Sequence, residues 1–285
     1  MESKQIVLNY TKIRAKKRKL CKKEEGGKDI MKTRRVEKKE MKKKKKQIWI
    51  PILLVILLIL VISVIIIYRN MNQFELNVAG EDVSKEEYLN CMELVEYDTK
   101  IQIQEQYNCE YGEDFWEKKY GGKYGYEILR ENTIKCLQQI HAVYEVAKEN
   151  GDVQDVSFAG LEKRWKKENA DRSEKVENGE VVYGVKEYTF DLYLQYEMSR
   201  LKEIYCNDKD RDGMLLTEEE IVEYYNSREW IYGEDGEKAD LETARISVER
   251  ELREKKYDEI VKRKAENSKV DGEMKQIDRF TLKNI

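Results

Sequence analysis

The sequence predicts a mainly α-helical protein in which one transmembrane helix near the N-terminus precedes a helical domain with a small pairing of terminal strands. Three observations support this prediction: a long uncharged apolar run, apolar residues that recur at intervals of three and four, and the absence of proline outside that run. Such periodicity is the primary sequence signal of an amphipathic helix. We therefore divide the chain into a basic tail (1–46), an anchor (47–69) and a larger domain (74–285).

The basic tail differs sharply in charge from the rest of the chain. Residues 1–46 contain 20 Lys and Arg against 6 Asp and Glu, a net charge of +14, which leaves −17 for residues 47–285 because the whole chain carries −3. This segment has too few apolar residues to form a core, so we expect it to be disordered or to form a nascent helix at the membrane surface. Each basic residue beside a bilayer contributes about 1 kcal/mol of attraction to anionic lipid, so lipid rather than nucleic acid is the expected partner. The alternative is a tail that serves only to set topology.

The predicted anchor is the run Ile48–Tyr68, which contains no charged residue. About 20 apolar residues are enough to cross the hydrocarbon core of a bilayer. Lys42–Lys46 precede the run and only Arg69 follows it closely, so the positive-inside rule places the N-terminus in the cytoplasm and the larger domain outside. The alternative is a cleaved signal peptide, whose apolar region normally has about 7–15 residues and ends at small residues. Because this run is longer and ends in Ile-Ile-Ile-Tyr, we expect a retained anchor in a single-pass cell-membrane protein.

The larger domain is predicted to be a succession of helices. Ser84 and Glu87 form a capping box before an apolar stripe, and Gly151 is a stop signal after another. The predicted elements are helices from Ser84 to about Asn108, Leu129 to Gly151, a shorter one at Phe158–Trp165, Phe190 to Tyr205, Thr217 to about Ser227 and Asp240 to about Asn267, a loop over 171–187, and strands at Glu75–Gly80 and Gln276–Leu282.

The most specific local motif is Asp-Lys-Asp-Arg-Asp-Gly followed, after five residues, by a glutamate, over residues 208–219. It matches the EF-hand calcium loop at each fixed position. In such a loop carboxylates and one backbone carbonyl bind the ion, and affinities in extracellular modules are on the order of 10⁻⁴–10⁻³ M. The candidate Ca²⁺ ligands are the side chains of Asp208, Asp210, Asp212 and Glu219 and the backbone carbonyl of Met214.

A surface turn before a helix is the alternative interpretation of this motif. Thr217 and Glu220 form a capping box by themselves, so the turn needs no metal. EF-hands usually occur in pairs, and the sequence contains no second loop of this kind. Three alternating aspartates would nevertheless repel one another without a cation, which favours calcium binding.

No motif in the sequence indicates an enzyme. His141 is the only histidine, which excludes sites that need two, including the common zinc hydrolase motifs. Gly-x-Ser-x-Gly, a phosphate-binding Gly-rich loop and Cys-x-x-Cys are also absent. Since His141 falls within the apolar stripe of the predicted second helix, we interpret it as a packed helix residue.

The cysteines leave two possibilities open. Cys21 belongs to the predicted cytoplasmic tail, and the larger domain contains Cys91, Cys109, Cys136 and Cys206. Four cysteines allow three pairings. A domain of this size does not need disulfides for stability, so buried thiols are equally compatible with the sequence.

Aromatic residues of the larger domain are mostly amphipathic. The chain has 19 tyrosines and 4 tryptophans against 5 phenylalanines, and almost all lie after the anchor. Such rings suit binding surfaces that are partly apolar and partly wet. A tyrosine-rich core in a highly charged helical protein is the alternative.

Several stretches carry a family resemblance. Val78–Tyr88 reads as a strand, a turn and a capped helix; Phe115-Trp116 and then Gly121-Gly122 follow, and Leu129–Gly151 ends in Ala-Lys-Glu-Asn-Gly. Together with Tyr183–Leu201 and Thr217–Tyr225, these stretches resemble the chaperone domain of secretion foldases of the SurA, PrsA and trigger-factor type. The resemblance covers about residues 74–265.

The resemblance implies a domain that holds unfolded or newly secreted polypeptides. Family members commonly carry a parvulin prolyl-isomerase domain, with a pair of histidines, before the last helix; here only Arg228–Asp240 occupy that place. Isomerase activity is therefore not expected. The family fold also pairs an N-terminal with a C-terminal strand, which implies pairing of Glu75–Gly80 with Gln276–Leu282. The calcium-like loop departs from the family pattern.

These observations lead to one functional hypothesis and one alternative. We expect a membrane-anchored, extracytoplasmic, non-enzymatic chaperone-like protein that binds unfolded or secreted polypeptides and holds Ca²⁺ at residues 208–219. The alternative is a calcium-responsive structural or sensing membrane protein without chaperone activity.

Overall fold

The structure, a computed structural model, describes residues 55–64, 74–232 and 236–285. The chain divides into two compact units, Met1–Asn70 and Met71–Ile285. In the first unit, residues 55–64 are helical (α1) and their apolar side chains are exposed. No helix within the described ranges is long and apolar enough to cross a membrane. The basic tail and the remainder of the predicted anchor lie outside those ranges.

The second unit is mainly helical, as the sequence predicts. Its elements, in chain order, are β1 Leu76–Val78, β2 Glu81–Asp82, α2 Lys85–Tyr107, a 3₁₀ turn Phe115–Glu117, β3 Lys119–Tyr120, β4 Lys123–Tyr124, α3 Gly125–Glu149, α4 Phe158–Glu177, α5 Phe190–Asn207, α6 Glu218–Asn226, β5 Ile231–Tyr232, β6 Glu237–Lys238, α7 Leu241–Asn267, β7 Val270–Gly272 and α8 Met274–Lys283.

Helix starts coincide with residues whose side chains can cap a helix. Each such side chain accepts a backbone N–H of the first turn, an interaction that contributes about 1 kcal/mol. Ser84 with Glu87 and Thr217 with Glu220 complete the two predicted capping boxes. The side-chain caps are Ser84, Ser157, Thr189, Thr217 and Asp240.

α3 lies at the centre of the core and packs against α2, α5, α7 and α8. Leu129, Thr133 and Leu137 are completely buried along it, because the helix has neighbours on more than one side. A smaller apolar cluster forms beneath α6, the β5–β6 hairpin and the first half of α7. Its buried members are Ile221, Trp230, Ala244 and Val248.

A small antiparallel sheet joins the two ends of the second unit. Its strand order is β2-β1-β7, with Leu76 opposite Gly272 and Val78 opposite Val270. Gly272 is required by close approach, since a Cβ atom there would lie 2.7 Å from the backbone oxygen of Glu75. The predicted N-terminal strand is thus present, and its C-terminal partner is Val270–Gly272.

The predicted strand at Gln276–Leu282 is wrong, because these residues belong to helix α8. Ile277 and Thr281 are both fully buried. A spacing of four places two residues on one face of a strand as well as on one face of a helix, so these positions do not distinguish the two periods. Phe280, three residues after Ile277, also packs on the core, which only the helical period allows.

α4 is longer than predicted, because residues 171–177 of the predicted loop are helical. The reason is a buried cation in the last turns of the helix. Arg172 bonds to Glu168 one turn earlier at 2.9 Å and donates to the backbone oxygens of Tyr183 and Val185 at 3.1 and 2.7 Å. The loop that follows is therefore tied to the end of a helix that the apolar pattern alone does not reveal.

Aromatic side chains connect the start of α2 to α8. The ring of Phe74 lies 5.2 Å from that of Tyr88 and 4.8 Å from that of Phe280. The Tyr88 hydroxyl forms a 2.5 Å hydrogen bond with Thr281 Oγ1. Burial raises the pKa of Tyr88 to about 12, so this hydroxyl stays neutral near pH 7.

Replacing Tyr88 by Phe tests this contact. The change removes one buried neutral hydrogen bond, whereas Thr281 keeps its bond to the Ile277 oxygen. We expect a loss of about 1 kcal/mol, seen as a fall in Tm of about 2–4 °C by thermal unfolding. Tyr97→Phe is the matched control, because Tyr97 is 65% exposed and should leave Tm unchanged. Equal effects of the two substitutions would show that the Tyr88–Thr281 bond contributes nothing.

Candidate functional site

An apolar groove opens between α2, α3, α4 and α5, and we call it the four-helix groove. Its volume is about 370 Å³, including solvent at the mouth. Polar groups also reach it, from Glu87, Asn90 and His141. The apolar lining consists mainly of Leu94, Ile140, Phe158, Leu161, Phe190 and Leu194.

Two helix starts place aromatic rings in this groove. Phe158 is the first residue of α4, directly after the cap Ser157, and Phe190 is the first residue of α5, directly after Thr189. Their ring centroids are 5.4 Å apart. Both rings are half-buried, so they remain accessible to a bound molecule.

One wall of the groove contains an acid–imidazole pair. Glu87 Oε1 lies 2.7 Å from His141 Nε2, and the other ring nitrogen, Nδ1, lies 3.2 Å from the backbone oxygen of Val78. The second oxygen of Glu87 accepts the N–H of Ser84 at 3.4 Å. His141 is therefore packed, as the sequence predicts, but it also connects α3 to α2 and to β1.

Behind the groove lies a buried carboxylate, Glu197 of α5. It accepts hydrogen bonds from the hydroxyls of Tyr144 and Tyr193 at 2.6 and 3.0 Å. The guanidinium of Arg164 donates to its two oxygens at 2.8 and 3.0 Å. Although burial acts to raise the pKa of Glu197, the bonds from Arg164 and Tyr144 hold it below its ordinary value of 4.5. Glu197 thus joins α3, α4 and α5 as a fully bonded anion.

Hydrogen bonds and ion pairs with other protein groups hold the loop 208–219 in place. Asp208 Oδ1 accepts the N–H of Asp210 at 3.1 Å, and Oδ2 pairs with Arg211 Nε at 3.2 Å. These bonds lower the pKa of Asp208. Arg211 also holds both oxygens of Asp152 at 2.7 and 2.8 Å. The backbone oxygen of Met214 accepts a bond from Arg253 at 3.1 Å.

This arrangement does not gather the candidate calcium ligands. Among residues 55–64, 74–232 and 236–285, no group of three or more His, Cys, Asp or Glu is placed to hold a metal ion. In the described arrangement Asp208 shares the guanidinium of Arg211 with Asp152. Calcium binding by Asp208, Asp210, Asp212, Met214 and Glu219 therefore stays a prediction, and it requires Asp208 to exchange Arg211 for the ion.

A set of helices that frames an apolar groove is an architecture suited to binding another molecule. No protein-family model matches the chain. The chain is 31% identical over 197 residues to the chaperone for lacto-N-biosidase of Bifidobacterium longum subsp. longum, and the match covers 68% of this chain and 70% of that protein. The chain therefore belongs to the family of that chaperone.

Two solved structures of a GH136 lacto-N-biosidase from Eubacterium ramulus, native and selenomethionine-labelled, also match in part. Each has a TM-score of 0.40 and 19% identity over 52% of this chain, which spans 30% and 29% of the respective enzyme chains. A structural likeness this weak supports no conclusion about the function of this chain. The prediction of a chaperone-like family is confirmed by the relative, whereas the finer resemblance to SurA and PrsA stays a prediction.

The bonded state of Glu197 makes a prediction about pH. Its pKa in the folded protein lies below its ordinary value, so its stabilising effect is complete above about pH 4.5 and is lost as the pH falls through the folded pKa. We expect Glu197→Gln to cost about 2–4 kcal/mol at pH 7 and to lose less stability than the wild type between pH 7 and pH 3. Urea unfolding at several pH values measures both effects.

Glu203→Gln is the control for this experiment, since Glu203 lies on the same helix and is exposed. It should reproduce the stability and the acid sensitivity of the wild type. Parallel stability–pH curves for Glu197→Gln and the wild type would contradict the assignment of acid sensitivity to Glu197.

Proposed function

We propose that this protein is a dedicated chaperone for a secreted glycoside hydrolase of the lacto-N-biosidase type. The observation that carries the proposal is the match over 197 residues to a chaperone of that client, which covers most of both chains. Chaperoning by a binding protein needs an accessible apolar surface, and the four-helix groove supplies one.

The groove is suited to binding without covalent chemistry. Its lining is mostly aliphatic and aromatic, and its histidine is already bonded to Glu87 and Val78. Burying an apolar client side chain there contributes about 25 cal/mol per Å² of area removed from water. Binding of this kind is reversible, and it favours a client that still exposes apolar residues over one that has folded and buried them.

The proposal includes the topology expected from the sequence. The tail 1–46 would lie in the cytoplasm beside anionic lipid, residues 47–69 would cross the membrane, and residues 74–285 would meet the client outside it. The charge difference between the tail and the rest of the chain supports this orientation. Protease treatment of intact cells should digest the domain and spare the tail; digestion of the tail alone would reverse the orientation.

Leu94→Gln tests the groove as the client site. Leu94 lines the groove on α2 and is half-buried, so an amide at this position adds a polar group where an apolar client side chain would pack. We expect about tenfold weaker client binding, equivalent to about 1.4 kcal/mol. The measurement is the amount of active lacto-N-biosidase recovered when the protein and the enzyme are produced together, and binding of the unfolded enzyme to the purified protein.

Leu192→Gln is the matched control, because Leu192 is 39% exposed on α5 and is not part of the groove. It should support the client as the wild type does. Melting temperatures of both variants check that folding is unchanged. Full client recovery with Leu94→Gln would move the binding site away from the groove, and no effect of the wild-type protein on the client would refute the chaperone proposal.

Calcium binding at residues 208–219 is the second candidate function, supported by the match of this segment to the EF-hand pattern. Free calcium at 100 times the dissociation constant would stabilise the fold by about 2.7 kcal/mol, and thermal unfolding in calcium and in chelator measures this. Asp208→Ala and Glu219→Ala should remove the calcium-induced shift, whereas Glu223→Ala, in the exposed part of α6, should keep it.

The two candidate functions give different outcomes. A calcium shift together with client recovery that does not need the groove would favour the calcium-responsive structural or sensing protein. The same melting temperature in calcium and in chelator would leave the loop as a turn held by Arg211 and by the Thr217 cap.

A further inference from the structure

Two contacts fix how α2 lies along α3. Glu87 pairs with His141 at 2.7 Å, and Thr99 accepts a bond from the side-chain amide of Asn132 at 3.0 Å. Residue numbers rise along α2 as they fall along α3, so the two helices are antiparallel.

This register places two cysteines opposite each other. Cys91 lies one turn after Glu87 on α2, and Cys136 lies between His141 and Asn132 on α3. Both cysteines belong to the main apolar core or pack directly against it. Cys91 is 2% exposed and also lines the four-helix groove, whereas Cys136 is half-buried.

The two side chains lie near enough for each to affect the ionisation of the other. The neighbouring Cys136 side chain and burial raise the pKa of Cys91 above its ordinary value, and the carboxylates of Glu87 and Asp191 act in the same direction. Cys136 is the more accessible thiol of the pair.

We propose that Cys91 and Cys136 form a disulfide that links α2 to α3 beside the four-helix groove when the protein meets an oxidant that carries a disulfide. The inference does not depend on the identity of the client. It assigns these two positions as a modification site and excludes the other pairings that the four cysteines of the domain allow.

The reaction is a pair of thiol–disulfide exchanges. The Cys136 thiolate attacks one sulfur of the oxidant disulfide, and the other sulfur leaves as a thiolate that takes up a proton. Cys91 then loses its proton and attacks Cys136 in the mixed disulfide, releasing the second oxidant thiol. The protein loses two electrons and two protons in all, and the oxidant disulfide is reduced to two thiols.

The link would stabilise the fold mainly by restricting the unfolded chain. It closes a loop of about 45 residues that includes most of α2, both short strands β3 and β4 and the first half of α3. For a domain of this size, a cross-link over such a loop raises Tm by an amount on the order of 10 °C.

The test uses the full-length protein treated with glutathione disulfide and compared with the reduced protein. After alkylation of the remaining thiols, peptide mapping by mass spectrometry should show one linked pair, Cys91–Cys136, with the loss of two hydrogen atoms. Thermal unfolding of the oxidised protein should show the rise in Tm, and a reductant should reverse it. These measurements on the wild type do not depend on the folding of any variant.

Variants then separate this pair from the others. Cys109→Ser should keep both the link and the Tm rise, since the Cys109 thiol lies near the Ile103 backbone oxygen, at 3.9 Å. Cys136→Ser should lose both effects. A different linked pair, a glutathione adduct that stays on Cys136, or oxidation without a change in Tm would each overturn the proposal.

Discussion

The fold of the second unit depends on the packing of α2 against α3. One carboxylate, that of Glu87, connects the start of α2 with α3 and, through His141, with strand β1. Glu87 caps its own helix through the N–H of Ser84, and it bonds to His141 of α3. His141 in turn reaches the backbone oxygen of Val78 in β1. The helix start, the helix pair and the terminal sheet therefore share one buried polar contact. Removing either partner would leave a polar group unbonded in the core, at a cost of about 1–3 kcal/mol.

The sequence predicts the helices well because their signals are local. Ser84, Thr217 and Asp240 lie next to the apolar stripes that they cap, so the cap and the stripe confirm each other. Two predictions were wrong: the strand at Gln276–Leu282 and the early end of α4. In both cases the contact that decides the structure lies outside the local sequence pattern. Ile277 and Thr281 fit strand and helix alike, and the core that Phe280 meets is formed largely by α2 and α3. The end of α4 depends on Arg172, whose partners belong to a loop that follows it.

The groove is a different case, since the sequence predicts the kind of surface but not its residues. Phe158 and Phe190 stand 32 positions apart in the chain and meet only because two helices begin at the same place. The tyrosines illustrate the same limit. Composition allows either a wet binding surface or a tyrosine-rich core, and Tyr144 fits both descriptions: its ring lines the groove, and its hydroxyl bonds to the buried Glu197.

This double role of Tyr144 explains how a groove in a highly charged helical protein can keep its shape. Its walls are held from behind by ionic and hydroxyl bonds at Glu197 and from one side by the Glu87–His141 pair. If the groove binds a client as proposed, walls held in this way need not be ordered on binding, which avoids an entropic cost of about 0.5–1.5 kcal/mol for each side chain that would otherwise be immobilised. In the proposed chaperone the polar network would fix the walls, and the apolar lining would supply the affinity for the client. Under the proposed function the client would gain nothing from the network directly, so folding that buries its own apolar residues would be enough to release it.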